Sequence, residues 1–360
     1  MRIGIDGREL ASERRGIGRY IFELSRELDL HLPEAEFFVY NRAPVSLPIE
    51  SSRWVMRADP SRLGRRLSPL LWYKVRAGLI CRRDDLDVFW GTSAFLPGLP
   101  ANVRTVLTVH DLCHVFTPET FHPLHLMGVR LFFARDVRRA DTVLAVSQST
   151  SDRLYERVGR RADAIVSPAV RETFAPQLEK AIEACRNHYQ LVGPYVLTVA
   201  AWEPRKNLER LVRAFVKMKE RGLLIDHKLV LVGKKGSRFK GLVELLERDA
   251  RRHTQPLGYV ADEHLSALYA GADCFVLPSA YEGFGVPLLE ARACGTRVVT
   301  SDTPELREAG GPDAIYIQPT EEGIQAGILT AISEPLSPPT RSVLPTWEEG
   351  GRVLSRILCP

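Results

Sequence analysis

Short, nearly unbroken apolar runs alternate with longer amphipathic stretches along the chain. Arg2-Ile3-Gly4-Ile5-Asp6 predicts a first strand, and helical spacing from Arg19 to Leu28 follows it. Glu36–Tyr40, Leu86–Trp90, Arg104–Val109 and Asp141–Val146 read as further strands, with Ser147 as the N-cap of the next helix. Strands this apolar belong in a parallel sheet covered by helices on both faces. A second series opens after Gly193-Pro194. It predicts a strand at Tyr195–Ala200, a helix at Asn207–Glu220, and strands at Lys228–Gly233, Cys274–Pro278 and Arg297–Thr300. The expected fold is α/β, with two doubly wound, Rossmann-like domains facing across a cleft. Its parts are a first domain over 1–170, a linker over 171–194 with one helical stretch (Lys180–Tyr189), a second domain over 195–335, and a C-terminal segment over 336–360. In such folds ligands sit at the carboxyl ends of the strands.

Composition changes this picture little. The chain has 360 residues, 45% hydrophobic and 26% charged, which excludes a disordered, collagen-like or coiled-coil protein. Its six cysteines are scattered with no CxxC pair, so zinc ribbons and redox dithiols are not expected and a reduced, cytoplasmic setting is. Asp6 and Arg8 interrupt the apolar stretch that an export signal needs, and no run reaches the roughly 18 apolar residues of a membrane helix. A net charge of +5 suits phosphate-bearing ligands or an anionic surface without pointing to nucleic acid.

Four constellations carry chemistry. The string Tyr281-Glu282-Gly283-Phe284-Gly285-Val286-Pro287-Leu288-Leu289-Glu290 follows a predicted strand. Gly283 and Gly285 allow a sharp turn, Pro287 suits a first helical turn and Gly295 the helix end. The start of that helix is an anion site, with Glu282 before it and Glu290 on it. Arg205 and Lys206 are adjacent cations at another strand-to-helix turn, where Arg can bind phosphate oxygens as a fork and Lys as a point charge. His110-Asp111 follows a third strand, and Gly16-Ile17-Gly18 follows the first. His114, His122 and His125 lie near His110, but their spacing matches no metal motif.

The EGFGxPxxE form of residues 282–290 resembles the signature of the retaining GT-B glycosyltransferases of family 4 (glycosyltransferase group 1), and further matches cover nearly the whole chain. The resemblance implies an N-terminal acceptor-binding domain and a C-terminal nucleotide-sugar-binding domain. It also implies a final segment, begun by Trp347-Glu348-Glu349, that crosses back to the first domain. Glu282 is implied beside the donor sugar and Glu290 on the ribose of the nucleotide. Arg205 and Lys206 are implied on the diphosphate. Gly283, Phe284, Gly285 and Val286 join the donor site, and Gly258, Tyr259 and Val260 are implied near the base. The Gly233-Lys234-Lys235-Gly236 turn is implied near the phosphates. His110 matches the family's His-Asp pair beside the donor sugar, and Gly16 and Gly18 a loop near acceptor and phosphate. Two departures are Ala200-Ala201-Trp202, in a stretch where the family usually has a glycine, and Pro168-Ala169, where relatives often have Asn-Gly.

The implied activity is metal-independent, retaining transfer of a hexose, mannose- or rhamnose-type favoured, to a glycan or lipid-linked acceptor in polysaccharide or lipopolysaccharide assembly. A GDP-linked donor is favoured, and it is a substrate, so no cofactor is expected. A sugar-nucleotide epimerase of the same plan and a non-catalytic nucleotide-sugar binding protein are the other readings. Arg62, Arg65, Arg66, Lys74, Arg76 and Arg82 interleave with Leu67, Leu70, Leu71, Trp72, Tyr73, Leu79 and Ile80. This is either a surface for the cytoplasmic leaflet of a membrane or a helical hairpin with a solvated basic face.

Overall fold

The computed structural model describes residues 1–11, 16–234, 240–248, 250–333 and 344–360. The side chains of Ala11, Leu63, Arg65, Leu124, His125 and Lys240 also lie outside the description, so the readings placed on Arg65, His125, Lys235, Gly236 and 336–343 fall beyond it. The chain divides into two compact units, Met1–Pro168 with Pro345–Pro360, and Ala169–Leu344.

Among the described residues, the first unit is built on seven parallel strands: β1 (Arg2–Asp6), β2 (Glu36–Asn41), β3 (Trp54–Ala58), β4 (Val88–Gly91), β5 (Arg104–Val109), β6 (Thr142–Ala145) and β7 (Ala164–Ile165). Their order is β3-β2-β1-β4-β5-β6-β7. The described residues of the second unit hold six: β8 (Tyr195–Val199), β9 (Lys228–Val232), β10 (Thr254–Gly258), β11 (Cys274–Leu277), β12 (Val298–Ser301) and β13 (Ile315–Ile317), in the order β10-β9-β8-β11-β12-β13. Every pairing is parallel, as the apolar runs require, since parallel strands are buried on both faces. Both units are Rossmann-like, and each sheet reverses its order once, between β1 and β4 and between β8 and β11. Those reversals are the places where such sheets open a crevice for ligands.

Helices cover the sheets with one apolar stripe each. Leu208–Glu220 buries Leu211, Val212, Phe215 and Met218, a spacing that keeps one face on the sheet. Ser147 caps its helix as expected, its hydroxyl accepting from Thr150 N at 2.9 Å. The helical stretch expected at Lys180–Tyr189 is Glu179–His188; it lies in the second unit and packs on the Asp262–Ala270 helix. Trp347–Leu358 begins with a full capping box from Thr346 and Glu349 and packs on the Ile17–His31 helix of the first unit.

In the basic, aromatic stretch, expected as a membrane-facing patch or as a hairpin with a solvated basic face, the aromatic residues Trp72 and Tyr73 are buried and take no part in an outward face. The stretch runs from β3 through a short helix, Arg62–Arg66, into helical turns over Pro69–Cys81. Trp72, Tyr73 and Ile80 are core residues, because that face of the helix closes one side of the first sheet. Lys74 is paired with Asp136 and Arg76 with Asp59. Among the described residues no helix is long and apolar enough to cross a membrane.

Candidate functional site

The carboxyl ends of β8 and β11 flank the reversal in the second sheet, and two loops leave from them. After β8 the chain runs to Pro204–Lys206, a single turn of 3-10 helix that Asn207 ends in the left-handed region, φ 58°. Leu208 then begins the next helix. After β11 come Ser279, Tyr281 and Glu282, and Gly285 at φ 113° turns the chain into the Val286–Ala293 helix with Pro287 in its first turn. A side chain at Gly285 would be strained, and its Cβ would lie 2.9 Å from Leu306 Cδ2. The loops are stitched together by Ala280 N donating to Arg205 O at 2.7 Å.

This stitching brings Arg205, Lys206 and Glu282 into one cluster. Lys206 Nζ donates to Glu282 Oε1 at 2.5 Å, and Arg205 Nη1 to Glu282 Oε2 at 2.7 Å. Ser279 Oγ donates to Oε1 at 2.7 Å. Arg205 also reaches Glu203 through Nε at 2.7 Å. Glu282 and Lys206 are both buried. Burial by itself would raise the Glu282 carboxyl. The charges of Lys206 and Arg205, with hydrogen bonds from Lys206 and Ser279, outweigh it and hold the group at about 2.

That depression has a consequence for acid stability. A carboxyl held at about 2 against an ordinary 4.5 contributes stability present above the unfolded value and lost as pH falls through the folded one. The contribution is about 3 kcal/mol at neutral pH. Urea unfolding from neutral pH down to pH 2 should therefore show a decline between 4.5 and 2 that is smaller in Glu282→Gln. Parallel declines in the two proteins would mean the pairing adds nothing.

Glu290 sits on the helix that follows, half-buried, and accepts from Tyr269 OH at 2.9 Å. Gly258 ends β10 at φ 68°, and its carbonyl accepts from Gly233 N at 2.7 Å. Gly233 is fixed by a close approach: a Cβ there would lie 1.9 Å from Ala200 O. Tyr259 stands exposed, with Lys234 Nζ 5.8 Å from its ring centroid, while Val260 is buried. Phe284 is buried and Val286 half-buried.

His110 and the two glycines belong to the first unit. His110 Nε2 lies 2.8 Å from Thr92 O. A carbonyl only accepts, so Nε2 carries the proton, and the neutral ring presents Nδ1 as an acceptor. Burial lowers the pKa of this ring and keeps it neutral. Tyr20 packs edge-on against it at 4.9 Å and Trp347 against Tyr20 at 6.1 Å. Asp111 turns back to cap Cys113 N at 2.8 Å, so it shapes the loop. Gly16 is exposed at φ 51° before the Ile17–His31 helix, and Gly18 is buried in its first turn. His114 is buried edge-on against Phe133. Among the described residues no three of His, Cys, Asp and Glu are grouped to hold a metal ion.

Several partners were not picked out from the sequence. Ser279, Tyr269 and Thr92 are common residue types whose roles arise only from contact. At the reversal of the first sheet, Arg8 grips Asp6 through Nε at 2.9 Å and Nη2 at 2.8 Å and donates to Ser93 Oγ at 3.0 Å. A strand-terminal Asp followed by Arg was the available signal.

A pair of cations and a buried acid thus meet at the carboxyl ends of the second sheet, where such folds place ligands. The family model described as Glycosyltransferase Family 4 matches residues 14–169, and that described as Glycosyl transferases group 1 matches residues 190–342. O-antigen chain mannosyltransferase B of Escherichia coli is 32% identical over 340 residues, covering 89% of this chain and 87% of the relative. The chain belongs to the group 1, family 4 glycosyltransferases. The glycosyltransferase also superposes on solved structures at low identity, which speaks to fold. WaaG, a glycosyltransferase involved in lipopolysaccharide biosynthesis, gives a TM-score of 0.69 at 18% identity over 99% of this chain and 95% of that one. Anabaena HepE, solved in complex with UDP and glucose, gives 0.70 at 16%, again over 99% and 95%.

Proposed function

We propose that this glycosyltransferase moves a hexose, mannose-type favoured and rhamnose-type next, from a nucleoside-diphosphate sugar to a glycan or lipid-linked acceptor in polysaccharide assembly. The Arg205–Lys206–Glu282 cluster carries the reading. Arg205 and Lys206 supply fixed positive charge where a diphosphate gains negative charge as the glycosidic bond breaks. The Val286–Ala293 helix start, with Gly283, Phe284 and Gly285, adds donors to the same phosphates. Glu282 faces the transferred sugar and Glu290 the ribose. The backbone at Gly258, Tyr259 and Val260 serves the base. His110 offers Nδ1 to a sugar hydroxyl, and Gly16 and Gly18 open backbone groups toward acceptor and phosphate. From the resemblance to the retaining enzymes of the family we assign same-face attack guided by the departing diphosphate, with retention. The relation to an O-antigen chain mannosyltransferase supports mannose; a GDP-linked donor and work at the cytoplasmic face of a membrane, where a lipid-linked acceptor is presented, complete the proposal.

The test is a thermal-shift screen of GDP, UDP, ADP and dTDP, followed by transfer from the matching sugar nucleotide with and without EDTA. GDP should give the largest shift, and turnover should survive chelation because Arg205 and Lys206 take the place of a divalent ion. Activity lost to EDTA and restored by magnesium or manganese would overturn the metal-independent assignment. An epimerase would alter the donor without an acceptor, and a binder would leave it intact.

A further inference from the structure

We propose that the outer face of two neighbouring helices in the first unit, Pro69–Cys81 and Pro123–Arg139, docks on an anionic lipid bilayer. This deepens the membrane-presented acceptor suggested above and names the surface. The two helices lie side by side. Leu70 Cδ2 is 3.1 Å from where a Cβ on Gly128 would sit, Lys74 Nζ is 4.8 Å from the Phe132 ring centroid, and Lys74 pairs with Asp136. Contacts that advance together along both chains mean the helices run in the same sense. For right-handed helices so placed, the residue after each contact on the first helix and the residue before each contact on the second turn to one common side. On that side stand Leu71, Val75 and Leu79 from one helix and Met127 and Leu131 from the other. They are 48%, 54%, 51%, 65% and 67% exposed. The opposite side carries Tyr73, Ala77, Val129, Phe133 and Val137, all in the core.

Five large apolar side chains exposed on one face mark an interaction surface. Its charge says which kind. Residues 60–83 contain no Asp or Glu, and Arg62, Arg66, Arg82 and Arg83 are exposed there. Arg130 and Arg135 are exposed on the second helix. The neighbouring acids are buried and already neutralised: Asp59 by Arg76, Asp84 by Arg57, and Asp136 by Lys74 and Arg139. The first exposed acid beyond the stretch is Asp85. An aliphatic ridge flanked by arginines fits the boundary between headgroups and acyl chains, with the arginine stems lying along it and the guanidinium groups on lipid phosphates. A second copy of this chain would bring like charges against like, so the bilayer is the occupant the charge pattern favours.

Co-sedimentation of the full-length protein with phosphatidylcholine vesicles, with and without phosphatidylglycerol, tests this. Binding should require phosphatidylglycerol. Arg82→Ala with Arg83→Ala should weaken it by roughly thirtyfold, and Val75→Asp with Leu131→Asp should abolish it. Both pairs lie at exposed positions, and their melting temperatures should match wild type. Their affinity for a nucleoside diphosphate in solution should be unchanged. Vesicle binding that is absent in wild type, or indifferent to both pairs, overturns the proposal while leaving the donor site standing if the nucleotide still binds. Sedimentation showing a dimer that the Val75→Asp, Leu131→Asp pair dissociates would assign the face to a second copy and overturn it equally.

Discussion

Replacing Lys206 with methionine should lower turnover by a factor of roughly 10²–10³, and it should also cost stability. The turnover loss follows from the proposed role of Lys206 as one of two fixed cations at the bond-breaking phosphate. The stability loss follows from burial: Lys206 and Glu282 are both buried and pair at 2.5 Å. Removing one partner leaves a charge with too little compensation, which typically costs about 3–5 kcal/mol. Glu282 would retain Arg205 at 2.7 Å and Ser279 at 2.7 Å, which places the expected loss at the lower end. Arg205→Ala should match the turnover loss with a smaller drop in melting temperature, since Arg205 is the more exposed cation and divides itself between Glu203 and Glu282. The double variant Lys206→Met, Glu282→Gln separates the two effects. It removes the buried pair as a whole, so its melting temperature should recover while turnover stays low. Near-normal turnover in the single variant would remove Lys206 from the phosphate site.

The second large effect divides the two acids. Glu282→Gln should tighten binding of the free nucleoside diphosphate by about tenfold while sharply reducing sugar transfer. In the ligand-free protein the Glu282 carboxylate already occupies both cations, so an incoming diphosphate must displace it. A neutral amide of the same shape keeps one acceptor oxygen, turns the other into a donor, and no longer competes as a charge. Glu290→Ala should act oppositely on the same measurement. The proposed ribose contact would be present before and after transfer, so its loss should weaken product binding, by about tenfold or more, with less effect on the chemical step. Calorimetry of the nucleoside diphosphate beside single-turnover kinetics reads both. If Glu282→Gln abolished product binding while Glu290→Ala left it intact, the two assignments would be exchanged. The direction for Glu282 could not be read from the motif alone, where it only faces a sugar. It depends on the pairing that folding creates.

The central strands and the chemistry-bearing loops were legible in the chain. β1, β2, β4, β5 and β6, with β8, β9, β11 and β12, stand out because strands buried on both faces must be apolar nearly throughout. The strands that the pattern does not show are β3, β7, β10 and β13, and these are the four edges of the two sheets. An edge strand is covered less and need not be continuous in its apolar run; β3 is mostly half-buried and β7 spans two residues. β10 even contains Pro256, which an edge tolerates because one side of its backbone has no neighbour to bond.

Local sequence by itself determined the turns. Pro287, Gly285 and Gly295 set the helix after β11, and Ser147 its own helix start, because backbone preference and capping act over a few residues. Strand order, and with it the reversal between β8 and β11, was decided only by the tertiary structure, since pairing partners lie far apart along the chain. So was the state of the site. Arg205 and Lys206 lie 77 and 76 residues from Glu282, and nothing in either motif says that the cations meet that acid before they meet a ligand. Likewise Trp72 and Tyr73 went to the core while Leu71 and Val75 turned outward, because the side of a helix that is buried is chosen by the sheet and helix it packs on.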